Sequence, residues 1–249
     1  MKQIINIIIL HIFSFCVASS LEGMWINSLK HSLRINPDKS QDLAIYAKKF
    51  LEKHADKVIY QENESGFVRI NIPIMEESIE KIRLNYWPAH RFDVIGPETV
   101  HSHPRYFESI IIQGGYRHQL YSKRITNEYI SYDQYRLLKD PQNKRKFMFL
   151  GKSKLALQNI ESTQKNSIIG FPTRMIHRVL STEPSTLSLN VVLKDSSPEP
   201  YYDVYVSPDG NTGDVKLTRK YLLLDETELL TAEIISALQA FIVPEENKS

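Results

Sequence analysis

Between Lys57 and Val206 the chain is a succession of short β-rich runs with no helical stretch between them, and this pattern constrains the fold more than any other feature. The runs are Val58–Tyr60, Phe67–Ile72, Ile82–Trp87, Phe107–Gln113, Tyr116–Arg124, Tyr129–Tyr135, Lys146–Leu150, Ser153–Ile160, Ser167–Phe171, Met175–Leu180 and Leu187–Leu193. Turn-forming segments such as Gly114-Gly115, Thr126-Asn127 and Asp140-Pro141-Gln142-Asn143 separate them. Many short strands without helical crossovers argue for an all-β fold, a two-sheet barrel of jelly-roll type.

Helical periodicity flanks this region. Ser40 can cap a helix running to His54, with Leu43, Ala47, Phe50, Leu51 and His54 recurring at helical spacing. From Asp225 to Ile242 the period returns, with Leu229, Leu230, Ile234, Leu238, Phe241 and Ile242 apolar and Pro244 as a stop. Both helices are expected to be scaffold or dimer-contact elements, so a homodimer is an open expectation. Residues 1–20 have a basic start, an apolar run and the small-residue end Ala18-Ser19-Ser20, the pattern of a secretory signal peptide. A cleaved leader implies a periplasmic or secreted protein; a start at Met24 would leave it cytoplasmic. The expected organisation is therefore a leader at 1–20, a helical segment at 21–56, a β-barrel at 57–206 and a C-terminal extension with a helix at 207–249.

Composition narrows the partners. A formal net charge of +2 gives no general basic field, and Lys144-Arg145-Lys146 reads as a solvated turn, so no nucleic acid is expected. The leader is too short and interrupted for a stable membrane span. The single cysteine, Cys16, lies in the leader, so no disulfide is expected.

The residues that carry chemistry are histidines. In an extended strand His101 and His103 project to the same side, at a separation suited to one metal ion. Glu108 lies an odd number of residues from His103 and needs a bulge or turn within Pro104-Arg105-Tyr106 to reach the same face. His177 closes the segment Pro172-Thr173-Arg174-Met175-Ile176-His177. Three imidazoles and a carboxylate suit iron(II), nickel, manganese or zinc, with positions left open for substrate. His90 and His118 read as structural or exposed, near enough in sequence to serve as donors behind the ligands. Tyr106, Tyr116 and Tyr121 read as cross-strand packing residues.

This set resembles the cupin superfamily. Gly96, His101-Ser102-His103, Glu108 and Gly114-Gly115 match the first cupin motif to within about one residue of spacing. Pro172 to His177 matches part of the second, with Arg174 where that motif has glycine and its downstream Asn missing. The resemblance spans roughly residues 66–206 and implies a double-stranded β-helix whose ligands His101, His103, Glu108 and His177 meet in the barrel mouth. Within the superfamily, Trp87-Pro88-Ala89-His90, His101-Ser102-His103, His177-Arg178-Val179 and Ser188-Leu189-Asn190 look like blocks of the cysteine dioxygenase-like thiol dioxygenases. There Arg69 falls where the family keeps an arginine for the substrate carboxylate, a planar fork of donors suited to it. Those enzymes have a cysteine where this chain has Glu108, and a Ser-His-Tyr set where it has Ser188, Asn190 and Val192.

The resemblance implies a mononuclear metal oxidoreductase of dioxygenase type, with iron(II), acting on a small carboxylate-bearing, thiol or hydroxy/keto, substrate. Arg69 would orient the substrate, and Glu108 would ligate the metal or accept a proton. Two other classes fit the same residues: a metal-dependent isomerase or decarboxylase, and a non-enzymatic cupin that binds a metal or small molecule.

Overall fold

The computed structural model describes residues 34–62, 67–90, 99–123, 128–139, 145–194, 201–207, 220–221 and 224–242. The leader, Cys16, Met24 and the turns at 126–127 and 140–143 lie outside them. Thirteen strands carry the fold: β1 (Tyr60–Glu62), β2 (Val68–Ile72), β3 (Ile79–Trp87), β4 (Val100–His101), β5 (Phe107–Gln113), β6 (Gly115–Ser122), β7 (Ile130–Lys139), β8 (Arg145–Gln164), β9 (Ile168–Phe171), β10 (Ile176–Thr182), β11 (Thr186–Leu193), β12 (Tyr201–Val206) and β13 (Lys220–Tyr221). Helix α1 (Pro37–His54) precedes them and α2 (Leu224–Ile242) follows.

The fold is all-β with two helices, as expected. β13-β1-β2-β3-β11-β5-β9 form one sheet of seven strands, and β10-β4-β12-β7-β8-β6 close into a barrel of their own. Every pairing is antiparallel. The chain alternates between the two layers, leaving the sheet after β3, returning for β5, β9 and β11, and crossing back each time. That interleaving is what a jelly roll does.

Period-2 alternation in the large sheet decides where the core lies. Ile70, Ile82, Leu84, Ile110, Leu189 and Val191 point to one face and pack against Leu43, Ala47 and Leu51 of α1 and Leu230, Ile234 and Leu238 of α2. Each such aliphatic side chain removed from water contributes about 1.5–3 kcal/mol, so the two helices are bound to the sheet by one shared core. Leu229, counted in the apolar stripe from sequence, is instead 53% exposed. The alternate residues of the same strands face the second layer and are largely polar. That layer has its own small core inside the closed barrel, made by Val100, Tyr121, Tyr132, Leu155, Ile176 and Tyr205. The side chains between these two cores, polar and aromatic with a third small apolar cluster of Ile111, Tyr116 and Val179, line the space between the layers, here called the lumen.

Several boundaries differ from expectation. Asn36, not Ser40, caps α1: its side chain accepts from the Lys39 amide at 2.8 Å, while the Ser40 hydroxyl turns back to donate to the Pro37 carbonyl at 2.6 Å. The runs at 146–150 and 153–160 are one strand of 20 residues, β8, in which Gly151 at φ 107° absorbs a register shift opposite Gln134 and Tyr135. Arg145 and Lys146 open that strand rather than lying in a turn. Among the described residues no helix is long and apolar enough to cross a membrane.

Candidate metal centre

His101 of β4 stands directly opposite His177 of β10. Their neighbours Val100 and Ile176 point into the small barrel's core, so strand alternation turns both imidazoles toward the large sheet. His103 lies just beyond β4, where Ser102 fixes the chain: its amide donates to the Asp203 carbonyl at 2.9 Å and its hydroxyl accepts from the Asp203 amide at 3.0 Å. The His103 carbonyl accepts from the Arg174 amide at 3.1 Å, tying the first histidine segment to the second. Arg174 adopts φ 68°, so the left-handed backbone that favours glycine is kept here without one.

The three rings converge as the sequence predicts. Their candidate ligand atoms all lie within 4.8 Å of one another, and the His103 and His177 Nε2 atoms are 2.7 Å apart. His101 Nδ1 lies 2.8 Å from the Thr99 carbonyl. A carbonyl only accepts, so Nδ1 carries the hydrogen and Nε2 presents its lone pair. Burial, and then the charge His101 would carry, hold the pKa values of His103 and His177 well below the ordinary histidine value. Arg83 and Arg69 add to this at His103, and His118 at His177. His103 and His177 are thus held toward neutral imidazole, the form that ligates. Three imidazoles with convergent nitrogens are a donor set that fits one divalent cation.

Glu108 does not join them. The ligand role read from sequence is corrected by its surroundings: it faces the helical side of β5, fully buried, and accepts from the backbone amides of Arg34 at 2.8 Å and Ile35 at 2.9 Å and from the Tyr106 hydroxyl at 2.8 Å. The bend at Pro104-Arg105 leads out of the closed barrel into the large sheet, and there β5 alternation puts Glu108 on the helical face. Phe107, on the lumen side, packs its ring 4.7 Å from His103 instead. Burial and the adjacent carboxylate push the Tyr106 hydroxyl pKa up. Glu108 thus anchors the segment leading into α1 and is remote from the chemistry.

Arg69 lies on the lumen face of β2, its Nε donating to Asn85 Oδ1 at 3.2 Å and its guanidinium 5.2 Å from the centre of the Phe67 ring. Cross-strand register builds the wall around it. One row runs Asn71, Arg83, Asn190, Ser109 and the next Arg69, Asn85, Ser188, Ile111 across β2, β3, β11 and β5. Arg83 and Asn85 were missed from sequence, although their alternation with Ile82, Leu84 and Tyr86 marks them as facing the side opposite the helical core. His118 was also undervalued. It is 1% exposed, its Nε2 is 3.1 Å from Glu161 Oε2, and its ring centre is 6.3 Å from that of His177. An aromatic wall completes the lumen: Phe67, Trp87 and Tyr116 follow one another at ring separations of 5.0 and 6.1 Å, and Phe171 lies 4.9 Å from His177. His90 is exposed.

No family model matches the chain, and no curated protein matches it. Solved structures to which it is similar include a variant oxalate decarboxylase from Bacillus subtilis, with a TM-score of 0.30 and 13% identity over 54% of this chain and 27% of that one. The capsular polysaccharide assembling protein CapF from Staphylococcus aureus gives a TM-score of 0.33 and 8% identity over 60% of this chain and 32% of that one. The polyketide cyclase RemF from Streptomyces resistomycificus gives 0.30 and 12% over 74% and 95%. The chain thus spans about a quarter of the oxalate decarboxylase and a third of CapF.

Proposed function

We propose that this chain is a mononuclear metal-dependent oxidoreductase of dioxygenase type on a cupin fold, acting on a small carboxylate-bearing, and in one form thiol-bearing, substrate. The observation that carries the reading is the convergence of three imidazoles, His101, His103 and His177, on the space between the layers, whose opposite wall carries Arg69. His101, His103 and His177 would hold the cation, iron(II) in preference to nickel, manganese or zinc. Such an ion supplies Lewis acidity and a path for electrons between substrate and oxidant. With Glu108 turned away, the donor set is three histidines alone, which brings the site nearer to the thiol dioxygenases in the resemblance.

The protein's own residues supply orientation and dryness. Arg69, held by Asn85 at its Nε and set near the Phe67 ring, would orient the substrate carboxylate. The rings of Phe107 and Phe171, stacked 4.6 Å apart, cover one flank of the triad and keep bulk water from it. The test is metal analysis of protein purified without added metal, followed by oxygen-uptake screening of small thiols and acids after anaerobic iron loading. One metal per chain, lost in a His101→Ala/His103→Ala double variant, is the expected result; full occupancy in that variant overturns the site. Metal binding with no oxygen uptake for any thiol or acid would favour a non-redox enzyme or a binding protein on the same residues.

A further inference from the structure

Two ring nitrogens behind the cation site are buried without a hydrogen-bond partner among the described residues: Nδ1 of His177 and Nδ1 of His118. His177 turns its Nε2 to His103, and His118 brings its Nε2 to within 3.1 Å of the Glu161 carboxylate. The strands set the two unpartnered edges toward each other. In the closed barrel β6 lies between β8 and β10, with His118 opposite Glu161 on β8 and diagonal to His177, which is opposite Leu120. The two nitrogens of an imidazole lie on opposite flanks of the ring, so a His118 that turns Nε2 to β8 presents Nδ1 toward β10. His177, flanked by β4 and β6, likewise presents Nδ1 toward β6. Their hydrogens are complementary. A carboxylate only accepts, so His118 carries its hydrogen on Nε2 and a lone pair on Nδ1. A His177 that ligates through Nε2 carries its hydrogen on Nδ1. Donor and acceptor thus face one another on rings whose centres are 6.3 Å apart, too far for a direct bond of about 2.7–3.2 Å between atoms and a gap that one water spans.

We propose that one buried water joins His177 Nδ1 to His118 Nδ1, making His118 and Glu161 positioning residues for the metal centre. His177 Nδ1–H donates to the water, the water donates to His118 Nδ1, and His118 Nε2–H donates to Glu161. Every hydrogen points the same way, from the cation outward to a carboxylate whose side chain is 31% exposed. The chain fixes the orientation of the His177 ring and raises the basicity of the nitrogen that ligates. His101 reaches the same end directly, through the Thr99 carbonyl. With His118 and His177 only 1% and 4% exposed, the water is shut off from bulk solvent and satisfies two polar groups that would otherwise be buried unpaired. The inference rests on the reading of His101, His103 and His177 as a metal site.

Zinc, which the same donors hold and which is diamagnetic, is the probe, its affinity for the full chain measured by competition with a chromogenic chelator. His118→Phe keeps an aromatic ring beside Tyr116 and Phe171 but has no nitrogen, and should weaken zinc about tenfold to a hundredfold. His118→Asn sets an amide oxygen near the place of Nδ1 and should recover most of that loss, although it fills the space less well. A residue that only filled space would give the reverse order, with Phe near wild type and Asn weakest. Glu161→Gln, at a partly exposed position, should weaken zinc in the same direction by less, and serves if His118→Phe does not fold. In NMR spectra of isotope-labelled, zinc-loaded protein the His177 Nδ1 hydrogen should show cross-peaks to a long-lived water, lost in His118→Phe. Wild-type affinity in His118→Phe and Glu161→Gln, the reverse order of Phe and Asn, or a His177 hydrogen without a water cross-peak overturns the proposal and leaves the metal centre standing. A wild-type chain that binds no zinc overturns the metal reading itself, and this role with it.

Discussion

Glu108 is a carboxylate sealed from water and satisfied by two backbone amides and one phenol, a structural arrangement that resembles a ligand only in one dimension. Replacing it with Gln keeps the shape but turns an amide hydrogen toward donors that need an acceptor. We expect Glu108→Gln to lower stability by about 1–3 kcal/mol in urea titration, with metal stoichiometry by elemental analysis unchanged. A fall in metal content without a fall in stability would contradict the assignment. The triad makes the opposite kind of prediction. Because the folded state depresses the pKa values of His103 and His177, the unfolded chain takes up protons first as pH falls through the ordinary histidine value of about 6.5. Stability of the metal-free protein should therefore decline from about pH 6.5 downward and recover as pH rises. Melting temperatures of the chelated protein against pH check this, and the slope should shrink in His177→Ala.

At the scale of elements, the turn from β5 into β6 rests on two glycines for two different reasons. Gly114 has φ 66°, and a side chain there would also meet Thr186. Gly115 has ordinary backbone, but a Cβ would collide with the Thr163 carbonyl of β8, which is part of a ladder and cannot yield cheaply. Gly115→Ala should cost about 1–3 kcal/mol, read as a lower melting temperature, and widen the β6–β8 pairing that carries His118. The pair Gly114-Gly115 was legible in sequence as a turn, and β5 has the bounds read from sequence, Phe107–Gln113. Strong period-2 and helical patterns were readable because burial of one face enforces them. β4 was not, being two residues whose place is fixed by pairing with β10 and β12 rather than by propensity. β8 was split in two because Gly151 punctuates the sequence while the ladder runs through it. The candidate site divides in the same way. The three histidines were legible from spacing, whereas the face taken by Glu108 is set by the pairing of β5 in the large sheet, which the motif does not encode. Arg83 went unread because the polar row that gives it meaning is assembled from four strands.

At the scale of the molecule, the histidines belong to the closed barrel and to the segment that leaves it. His101 and His177 stand on adjacent strands of the closed barrel and His103 on the segment between β4 and β5, whereas Arg69, Arg83, Ser188 and Asn190 belong to the seven-stranded sheet. A bound ion would therefore brace β4, β10 and the segment that follows β4, and a guest reaching both walls would join the two layers. Hydrogen–deuterium exchange separates these effects. Metal alone should slow exchange at β4 and β10, and metal with a bound acid should slow it also at β2, β3 and β11. Protection spreading to β3 with metal alone would contradict this division. The polar seam between two apolar cores is also the natural plane along which the protein can breathe. Occupancy of the lumen then sets the separation of its two halves, so the molecule is clasped by what it binds.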